Sequence, residues 1–276
     1  MAIGLRSRSM FRGLKVGYEN RELLWNLTQR ELRARYRRSI LGWGWSMLNP
    51  AMNTAIYTFV FLIIFKSRAP VGDPSGIKVY SIYFLAGVLP WNFFALGTGT
   101  AISSLLGSGQ LMTKVYFPRE LVPTAAVLAL GVSLLIEFGV LIALILVTGH
   151  FMLQLIPVIL YLIILETLFT LGVGLFLAAV NIRYRDVAYI TTIVLQALFF
   201  MTPIVYPLSL VTNARLRTIM NLNPMARFAM AFRNCFYDIR LPGLTTMASL
   251  TVISVVVFGL GYRFFAKRAP RFVEDL

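Results

Sequence analysis

The fold is decided by residues 79–113, which read VYSIYFLAGVLPWNFFALGTGTAISSLLGSGQLMT and hold no formal charge over 35 positions. A helix rises ~1.5 Å per residue, so ~20 mostly apolar residues suffice to cross the hydrocarbon layer of a bilayer. This run is long enough for one membrane span and a turn. It is one of six such stretches, which predict spans near residues 46–65, 80–105, 122–147, 153–180, 188–206 and 244–263.

The composition of the whole chain agrees with an all-α membrane protein. Hydrophobic residues make up 58% of the 276 positions and charged residues only 13%, and the mean hydropathy is +0.75. A soluble domain of this size would have too little polar surface to stay dispersed. We therefore expect three parts: a cytoplasmic tail at 1–45, a six-helix transmembrane domain at 46–265 and a second cytoplasmic tail at 266–276.

The distribution of lysine and arginine predicts the orientation of these spans. No apolar core with a cleavage site precedes the first span, so we expect the start of the chain to stay on the side where it is made. The segments on that side hold 18 of the 26 basic residues, and the opposite segments hold eight. Because cytoplasmic loops carry the excess of Lys and Arg, both termini are predicted to be cytoplasmic.

The net charge of +15 is concentrated in the tail before the first span. Each basic residue near an anionic membrane surface gains ~1 kcal/mol, which favours membrane lipids over nucleic acid as the partner of this tail. Within it, residues 19–38 read ENRELLWNLTQRELRARYRR and lack helix breakers. They predict an amphipathic interfacial helix with Trp25 and Tyr36 at headgroup depth. A passive anchor and a guide for substrate or partner both fit this helix.

The loop after the second span reads GSGQLMTKVYFPRELVP over residues 107–123. Its glycines end the span, and Pro118 followed by Glu120 suits the first turn of a new helix. Tyr116 and Phe117 are predicted to be exposed on this loop. Exposed aromatic side chains on such a loop either dip into lipid or anchor a soluble partner.

Several kinds of chemistry are excluded by what the chain lacks. Cys235 is the single cysteine, so an intrachain disulfide and the usual thiolate metal clusters are excluded. No G-x-x-x-x-G-K-[ST] phosphate-binding loop occurs, so any ATP chemistry must come from another chain. An integral membrane enzyme would need clustered acids or histidines, yet His150 is the only histidine. We therefore expect no catalytic site and no metal site.

Five segments that follow one another along the chain carry a family resemblance. They are RARYRRSILGWGWSMLNP at 33–50, KVYFPRELVP at 114–123, NIRYRDV at 181–187, MTPIVYP at 201–207 and NLNP at 221–224. In this order they resemble the polysaccharide-exporting permeases of the type-2 ATP-binding-cassette exporters, which export O-antigen, capsule, teichoic acid or mycobacterial galactan. The segments leave open which of these glycans is moved.

This resemblance implies a mechanism and a set of partners. Permeases of this family form homodimers in the bacterial plasma membrane and bind two copies of a nucleotide-binding subunit. That subunit holds ATP and Mg, and its cycle opens a path for a lipid-linked polysaccharide. Residues 107–121 would be the coupling segment that docks on the ATPase, next to the helix at 19–38. Its contacts would come from Lys114, Tyr116, Phe117, Pro118, Arg119 and Glu120.

The same resemblance places the lipid headgroup of the substrate beside the turn between the amphipathic helix and the first span. The residues implied are Arg33, Arg37, Arg38, Leu41 and Gly42. Guanidinium groups pair bidentately with phosphate, and here they would lie at headgroup depth. For Arg37 and Arg38, simple orientation of the chain by their positive charge is an equal alternative.

Aromatic side chains in the first and fifth spans suit a glycan path, because sugar C–H faces pack on aromatic planes. The residues concerned are Tyr57, Phe61, Phe199, Phe200 and Tyr206. Packing against lipid or neighbouring helices is the alternative for each of them. Residues 207–243 are too long for a simple turn, and short re-entrant helices that dip into the outer leaflet would form an external gate there.

Glu137 and Glu166 are the only acids inside the predicted spans. An ionisable group within the membrane is by default a functional candidate, and a proton-coupled carrier would use such residues as a relay. Structural roles between helices remain the alternative. Two other functions therefore stay open: an ATP-binding-cassette permease for a different lipid or a drug, and a secondary transporter, which would need inverted repeats or a polar relay.

Overall fold

The computed structural model describes residues 16–36, 42, 44–64, 70–108 and 117–272, and every regular element among them is helical. The α-helices, numbered in chain order, are α1 Arg21–Tyr36, α2 Gly44–Thr58, α3 Tyr80–Gly107, α4 Leu121–Val147, α5 Ile156–Asn181, α6 Asp186–Met201, α7 Ala214–Leu222, α8 Pro224–Phe236 and α9 Leu244–Arg268. A π-helical segment, Phe59–Ile64, continues α2, and short 3₁₀ turns lie at Leu153–Leu155, Leu208–Leu210 and Ala269–Arg271.

Four of the predicted spans are confirmed as helices long and apolar enough to cross a membrane. They are Tyr80–Gly107, Leu121–Val147, Leu153–Asn181 and Leu244–Arg268. The first predicted span corresponds to α2 and its π-helical continuation. The fifth corresponds to α6, whose 16 residues rise only ~24 Å against a hydrocarbon thickness of ~30 Å.

The helix α6 ends at Met201, five residues before the predicted boundary, because a proline follows. Thr202 is extended, with φ −97° and ψ 130°, as expected for a residue whose successor is Pro203. Pro90 lies inside α3 without ending it. Membrane helices tolerate such a proline where neighbouring groups satisfy the freed carbonyl.

The tightest helix contact joins α5 and α9, and small residues make it possible. A Cβ atom added to Gly261 would lie 2.0 Å from the carbonyl oxygen of Gly172. Phe176 and Phe264 continue the contact, with ring centres 4.7 Å apart. Close backbone approach through glycine is the usual way in which membrane helices gain van der Waals contact.

The helix α8 is buried although it is not one of the four helices that are long and apolar enough to cross a membrane. Phe228, Phe232 and Phe236 follow one another at four-residue spacing and are fully buried. Phe228 packs on Phe169 of α5 with ring centres 5.9 Å apart, and Phe232 packs on Phe138 of α4 at 5.1 Å. Two short helices, α7 and α8, thus lie between α6 and α9, in the stretch where re-entrant helices are predicted.

The two ends of the bundle differ in what covers them. We call the α1 end the one where α1 lies beside the end of α3, the start of α4 and the end of α9. The opposite end, where α8 packs on α3 and α4, is the α8 end. The helices α2 and α6 lie beside α3, and each leaves a broad apolar side uncovered.

Candidate functional site

The predicted amphipathic helix is present as α1, and its apolar side packs on the protein. Leu27 is buried against Leu121 and Ala125 at the start of α4, with Leu23 and Leu24 beside it. This contact explains the spacing of the leucines between charged positions. The helix therefore lies against the beginning of α4, at the point where the predicted coupling segment ends.

The predicted coupling segment is held at both of its described ends. On one side, the Arg30 guanidinium of α1 donates a hydrogen bond to Ser108 Oγ at 3.4 Å. On the other side, Arg119 donates to the carbonyl oxygen of Ala269, and the Tyr262 hydroxyl donates to Glu120 Oε1 at 3.2 Å. Contacts from α1 and α9 thus fix the positions where this segment leaves α3 and enters α4.

Four of the six residues predicted to contact an ATPase are described, and the contacts of Arg119 and Glu120 are those given above. Lys114 and Tyr116 lie outside the described residues. Phe117 packs against the hydrophobic core while part of it remains exposed, and Pro118 is half-buried beside it. Their role at a partner interface stays a prediction.

The residues predicted at the lipid headgroup are described only in part. Arg33 is exposed, and its guanidinium donates to Gln29 Oε1 at 3.5 Å. Gly42 has a positive φ of 49° and no atom within 4 Å of an added Cβ, so this turn favours glycine for its backbone conformation. The predicted positions Arg37, Arg38 and Leu41 lie outside the described residues.

Three of the aromatic residues predicted along a glycan path lie in one chain of ring contacts. The Tyr57 ring centre is 6.4 Å from that of Phe199, which lies 5.3 Å from Phe200. The Tyr206 hydroxyl donates to the carbonyl oxygen of Phe200 at 2.7 Å. The side chain of Phe61 lies outside the part of the chain that the structure describes. We call Tyr57, Phe199 and Phe200, with the α3 residues in contact with them, the aromatic cluster.

The α3 members of the aromatic cluster were not singled out from the sequence. Phe84 lies 4.7 Å from Tyr57 and Trp91 lies 5.8 Å from Phe199, ring centre to ring centre. Both are buried, whereas Phe200 is 64% exposed. The run YSIYFLAGVLPWNFF at the start of α3 was a signal for them, since it holds aromatic residues at helical spacing. The cluster therefore has a packed side on α3 and an open side on α6.

A buried arginine on α8 was also missed, because the sequence places Arg233 among cations on the external side. Arg233 is only 7% exposed, and its guanidinium donates to the carbonyl oxygens of Tyr83, Pro203 and Ile204. It also lies 3.8 Å from the centre of the Tyr83 ring. One side chain thus joins α8, α3 and the segment after α6.

The space for this guanidinium depends on a glycine. An added Cβ at Gly87 would lie 2.8 Å from Arg233 Nη2. The positive charge needs no carboxylate partner here, because three carbonyl dipoles and an aromatic face surround it. Arg233 shares α8 with Phe228, Phe232 and Phe236, which recur every four residues. That spacing in the sequence was the signal that one face of this helix is buried.

A loop at the α8 end closes over the end of α8. The backbone N–H of Asp73 donates to Asp238 Oδ1 at 3.2 Å, and Ser75 Oγ donates to the Tyr237 carbonyl oxygen. Burial raises the pKa of the Asp238 carboxyl, while the hydrogen bond from Asp73 and the charge of Arg240 act in the opposite direction. Burial raises the pKa of the Tyr237 hydroxyl to about 12. The loop that precedes α3 is therefore hydrogen-bonded to the residues that directly follow α8.

The two acids within the predicted spans lie in different surroundings. Glu166 is fully buried, and neither carboxyl oxygen has a hydrogen-bond partner among the described residues. Glu137 is partly exposed on α4 and lines a small cavity of about 80 Å³ with Ala51 and Leu85. The described residues hold no cluster of three or more potential metal-ligating His, Cys, Asp or Glu side chains.

These features define a multi-pass, all-α membrane protein with anchored segments at both ends of its bundle. The chain belongs to the ABC-2 type transporter family, which it matches over residues 22–237. The resemblance noted in the five sequence segments is thereby confirmed at the level of the family. A transport subunit rather than an enzyme agrees with this membership.

Relatives with assigned names extend the match to nearly the whole chain. The O-antigen export system permease protein RfbA of Myxococcus xanthus is 33% identical over 275 residues, which cover 97% of this chain and 100% of the relative. A protein of the same name from Klebsiella pneumoniae is 27% identical over 262 residues, covering 92% and 95% of the two chains. Another from Klebsiella pneumoniae is 26% identical over 256 residues.

Proposed function

We propose that this chain is the permease subunit of an ATP-driven exporter that moves a lipid-linked polysaccharide out of the cytoplasm across the bacterial plasma membrane. The observation that carries this proposal is the match along almost the entire chain to O-antigen export permeases. Because the similarity extends over every span and loop, the proposed substrate class and mechanism do not depend on one motif.

The energy for this export would come from a separate nucleotide-binding subunit that binds ATP and Mg, in two copies per transporter. Residues 107–121 are proposed as its docking segment, with Lys114, Tyr116, Phe117, Pro118, Arg119 and Glu120 as contacts. Support comes from the hydrogen bonds of Ser108 and Arg119, which tie the segment to α1 and to the end of α9. A displacement of residues 107–121 by the ATPase would therefore be passed on to α1 and α9, as coupling of ATP hydrolysis to transport requires.

We further propose that the functional unit is a homodimer in which α2 and α6 line the path. The supporting observation is the uncovered apolar side of these two helices. On α6, Tyr189 is 76% exposed and Ile193 is 67% exposed, and on α2, Met52 is 54% exposed. The aromatic cluster lies beside this side, so the open ring of Phe200 would meet the sugar, with Tyr57, Phe61 and Tyr206 completing the path.

The proposed membrane placement has six spans, with α2 and its π-helical continuation as the first and α6 as the fifth. The α1 end would be cytoplasmic, as would both termini. The lipid phosphate would reach the transporter at Arg33, Arg37 and Arg38, near the turn at Leu41 and Gly42. At the α8 end, α7 and α8 would form the external re-entrant gate. Burial of α8 among α3, α4, α5 and α9 supports its presence at membrane depth.

The experiment that tests the proposal is depletion of this chain in its native cell, followed by analysis of lipid-linked glycans. Accumulation of a finished polymer on its lipid carrier is the expected result, and its structure would name the glycan. The control is restoration of the wild-type chain, which removes the accumulated polymer. If no lipid-linked glycan accumulates, a permease for another lipid or a drug becomes the better explanation.

The docking segment has its own test in the double substitution Tyr116→Ala and Phe117→Ala. We expect the variant to insert into the membrane normally and to lose both the associated ATPase and export. The matched control is Phe151→Ala, which removes an exposed aromatic ring between α4 and α5, away from the proposed docking segment and path. Retained ATPase association and export in the double variant would rule out these residues as the docking contacts.

A further inference from the structure

A narrow cavity runs along the bundle on a side that the proposed transport path does not use. Its volume is about 490 Å³, and its walls are α4, α5 and α9, with α1 and the turn before it across one end. Its walls are almost entirely apolar, with side chains that include Leu121, Leu128, Leu168, Leu171, Leu175 and Phe258. An apolar cavity at membrane depth is a place for hydrocarbon rather than water.

The dimensions of the cavity restrict what can occupy it. From Ile163 to Leu175 it follows 12 residue steps of α5, or about 18 Å, which is a little more than half of a hydrocarbon core ~30 Å thick. A volume of about 490 Å³ spread over that length leaves a narrow slot, which suits a thin, flexible occupant better than a helix 10–12 Å across. The cavity thus fits one extended hydrocarbon chain of a single leaflet.

The end of the cavity beside α1 has an acidic group in its lining and a basic group next to one of its lining residues. Glu120 lines it, with the Tyr262 hydroxyl donating to its carboxylate at 3.2 Å. Tyr18 also lines it, and the Arg21 guanidinium lies 5.4 Å from the centre of the Tyr18 ring. A phosphate would pair with the guanidinium, and a primary ammonium would donate to the carboxylate. This pair of charges matches a zwitterionic headgroup.

We propose that this cavity binds one acyl chain of a membrane glycerophospholipid whose headgroup carries a phosphate and a primary ammonium, as phosphatidylethanolamine does. The phosphate lies at Arg21, the ammonium lies at Glu120, and the acyl chain lies between α4, α5 and α9.

A lipid in this position would join α1 to the start of α4, where the coupling segment ends. It would therefore stabilise the same contact that Leu27 makes with Leu121. The proposal needs α4, α5 and α9 to lie in the bilayer, but it does not depend on which substrate is exported. Absence of lipid binding would therefore leave the proposed export function standing, and absence of glycan export would leave the proposed lipid site standing.

The test is lipid binding to the full-length chain in mild detergent, with bound lipid counted by native mass spectrometry. We expect one tightly bound phosphatidylethanolamine per chain, with affinity roughly tenfold higher than for phosphatidylglycerol or phosphatidylcholine, because each of these lacks the ammonium donor. Leu128→Trp fills the cavity and is expected to abolish this binding. Leu135→Trp, on the exposed side of the same helix, is the matched control and keeps it.

A second pair of variants tests the headgroup contact. Arg21→Gln is expected to weaken phosphatidylethanolamine binding roughly tenfold. The control is Arg183→Gln, since the Arg183 guanidinium lies 5.6 Å from the Tyr184 ring, away from the cavity. If Leu128→Trp does not fold, Thr167→Phe fills the cavity from α5. Undiminished binding in the folded cavity-filling variant, equal affinity for the three lipids, or preference for a polyprenyl phosphate would overturn the proposal.

Discussion

Replacing Arg233 with methionine would remove the side chain that joins α8 to α3 and to the segment after α6. Methionine fills much of the same volume but donates no hydrogen bond. The Tyr83 carbonyl lies inside α3, where the helix supplies another donor. The carbonyl oxygens of Pro203 and Ile204 lose the guanidinium donors that they have in the native chain.

The size of the effect follows from these two carbonyl groups. A buried acceptor left without its partner costs ~1–3 kcal/mol, so two cost roughly 2–6 kcal/mol. The lost contact with the Tyr83 ring adds to this cost, and removal of a buried cation offsets part of it. At ~2–4 °C per kcal/mol for a chain of a few hundred residues, we expect the unfolding midpoint to fall by roughly 4–24 °C.

The assay is the thermal unfolding midpoint of the detergent-solubilised chain, read as the loss of the folded peak after heating. Arg233→Lys is expected to lie between wild type and Arg233→Met, because an ammonium keeps the charge but cannot reach all the carbonyl groups. Arg240→Met is the control, since Arg240 is half exposed and its pair with Asp238 spans 3.5 Å. A midpoint for Arg233→Met equal to that of the control would refute the reasoning.

Three further substitutions test other contacts. Gly261→Ala would force its Cβ against the Gly172 carbonyl, so we expect ~1–3 kcal/mol of destabilisation in the same assay, whereas Gly139→Ala, which has open space, leaves the midpoint unchanged. Glu166→Gln is expected to preserve folding and export, because Gln has nearly the same volume and neither carboxyl oxygen of Glu166 has a hydrogen-bond partner among the described residues. Lost export would indicate a proton relay. Phe200→Ala is expected to lower export without lowering the midpoint, since Phe200 is 64% exposed; unchanged export would assign it to lipid contact.

Long uncharged runs made most of the helical fold predictable. Four predicted spans differ from the observed helices by only a few residues at each end, because burial of the backbone in lipid requires a continuous helix. The helical character of α1 was also predictable from local signals. A helix start near Pro118 was predictable as well, but α4 begins at Leu121, so Pro118 and Glu120 precede its first turn instead of forming it. Pro203 could have predicted that α6 ends early, because the residue before a proline disfavours the helical conformation. Apolar residues continue beyond Pro203, and they hide this signal.

Contacts between distant segments were not predictable from the chain alone. The leucines of α1 indicated an apolar side, but nothing local distinguishes lipid from the start of α4 as its partner. Arg233 illustrates the same difficulty, since a count of charges treats every arginine as solvated. Only the fold brings the Pro203 and Ile204 carbonyl groups within reach of it. Composition likewise cannot show that Tyr57 and Phe199 meet across two helices.

The central claim is that this chain carries a finished lipid-linked glycan across the plasma membrane. The measurement that tests it most directly is the sidedness of that glycan in spheroplasts, with a membrane-impermeant probe that labels only polymer outside the cell. With the wild-type chain, we predict that labelled polymer appears outside. After depletion, the polymer should be labelled only once the membrane is opened. Equal labelling of intact spheroplasts with and without the chain would contradict the account.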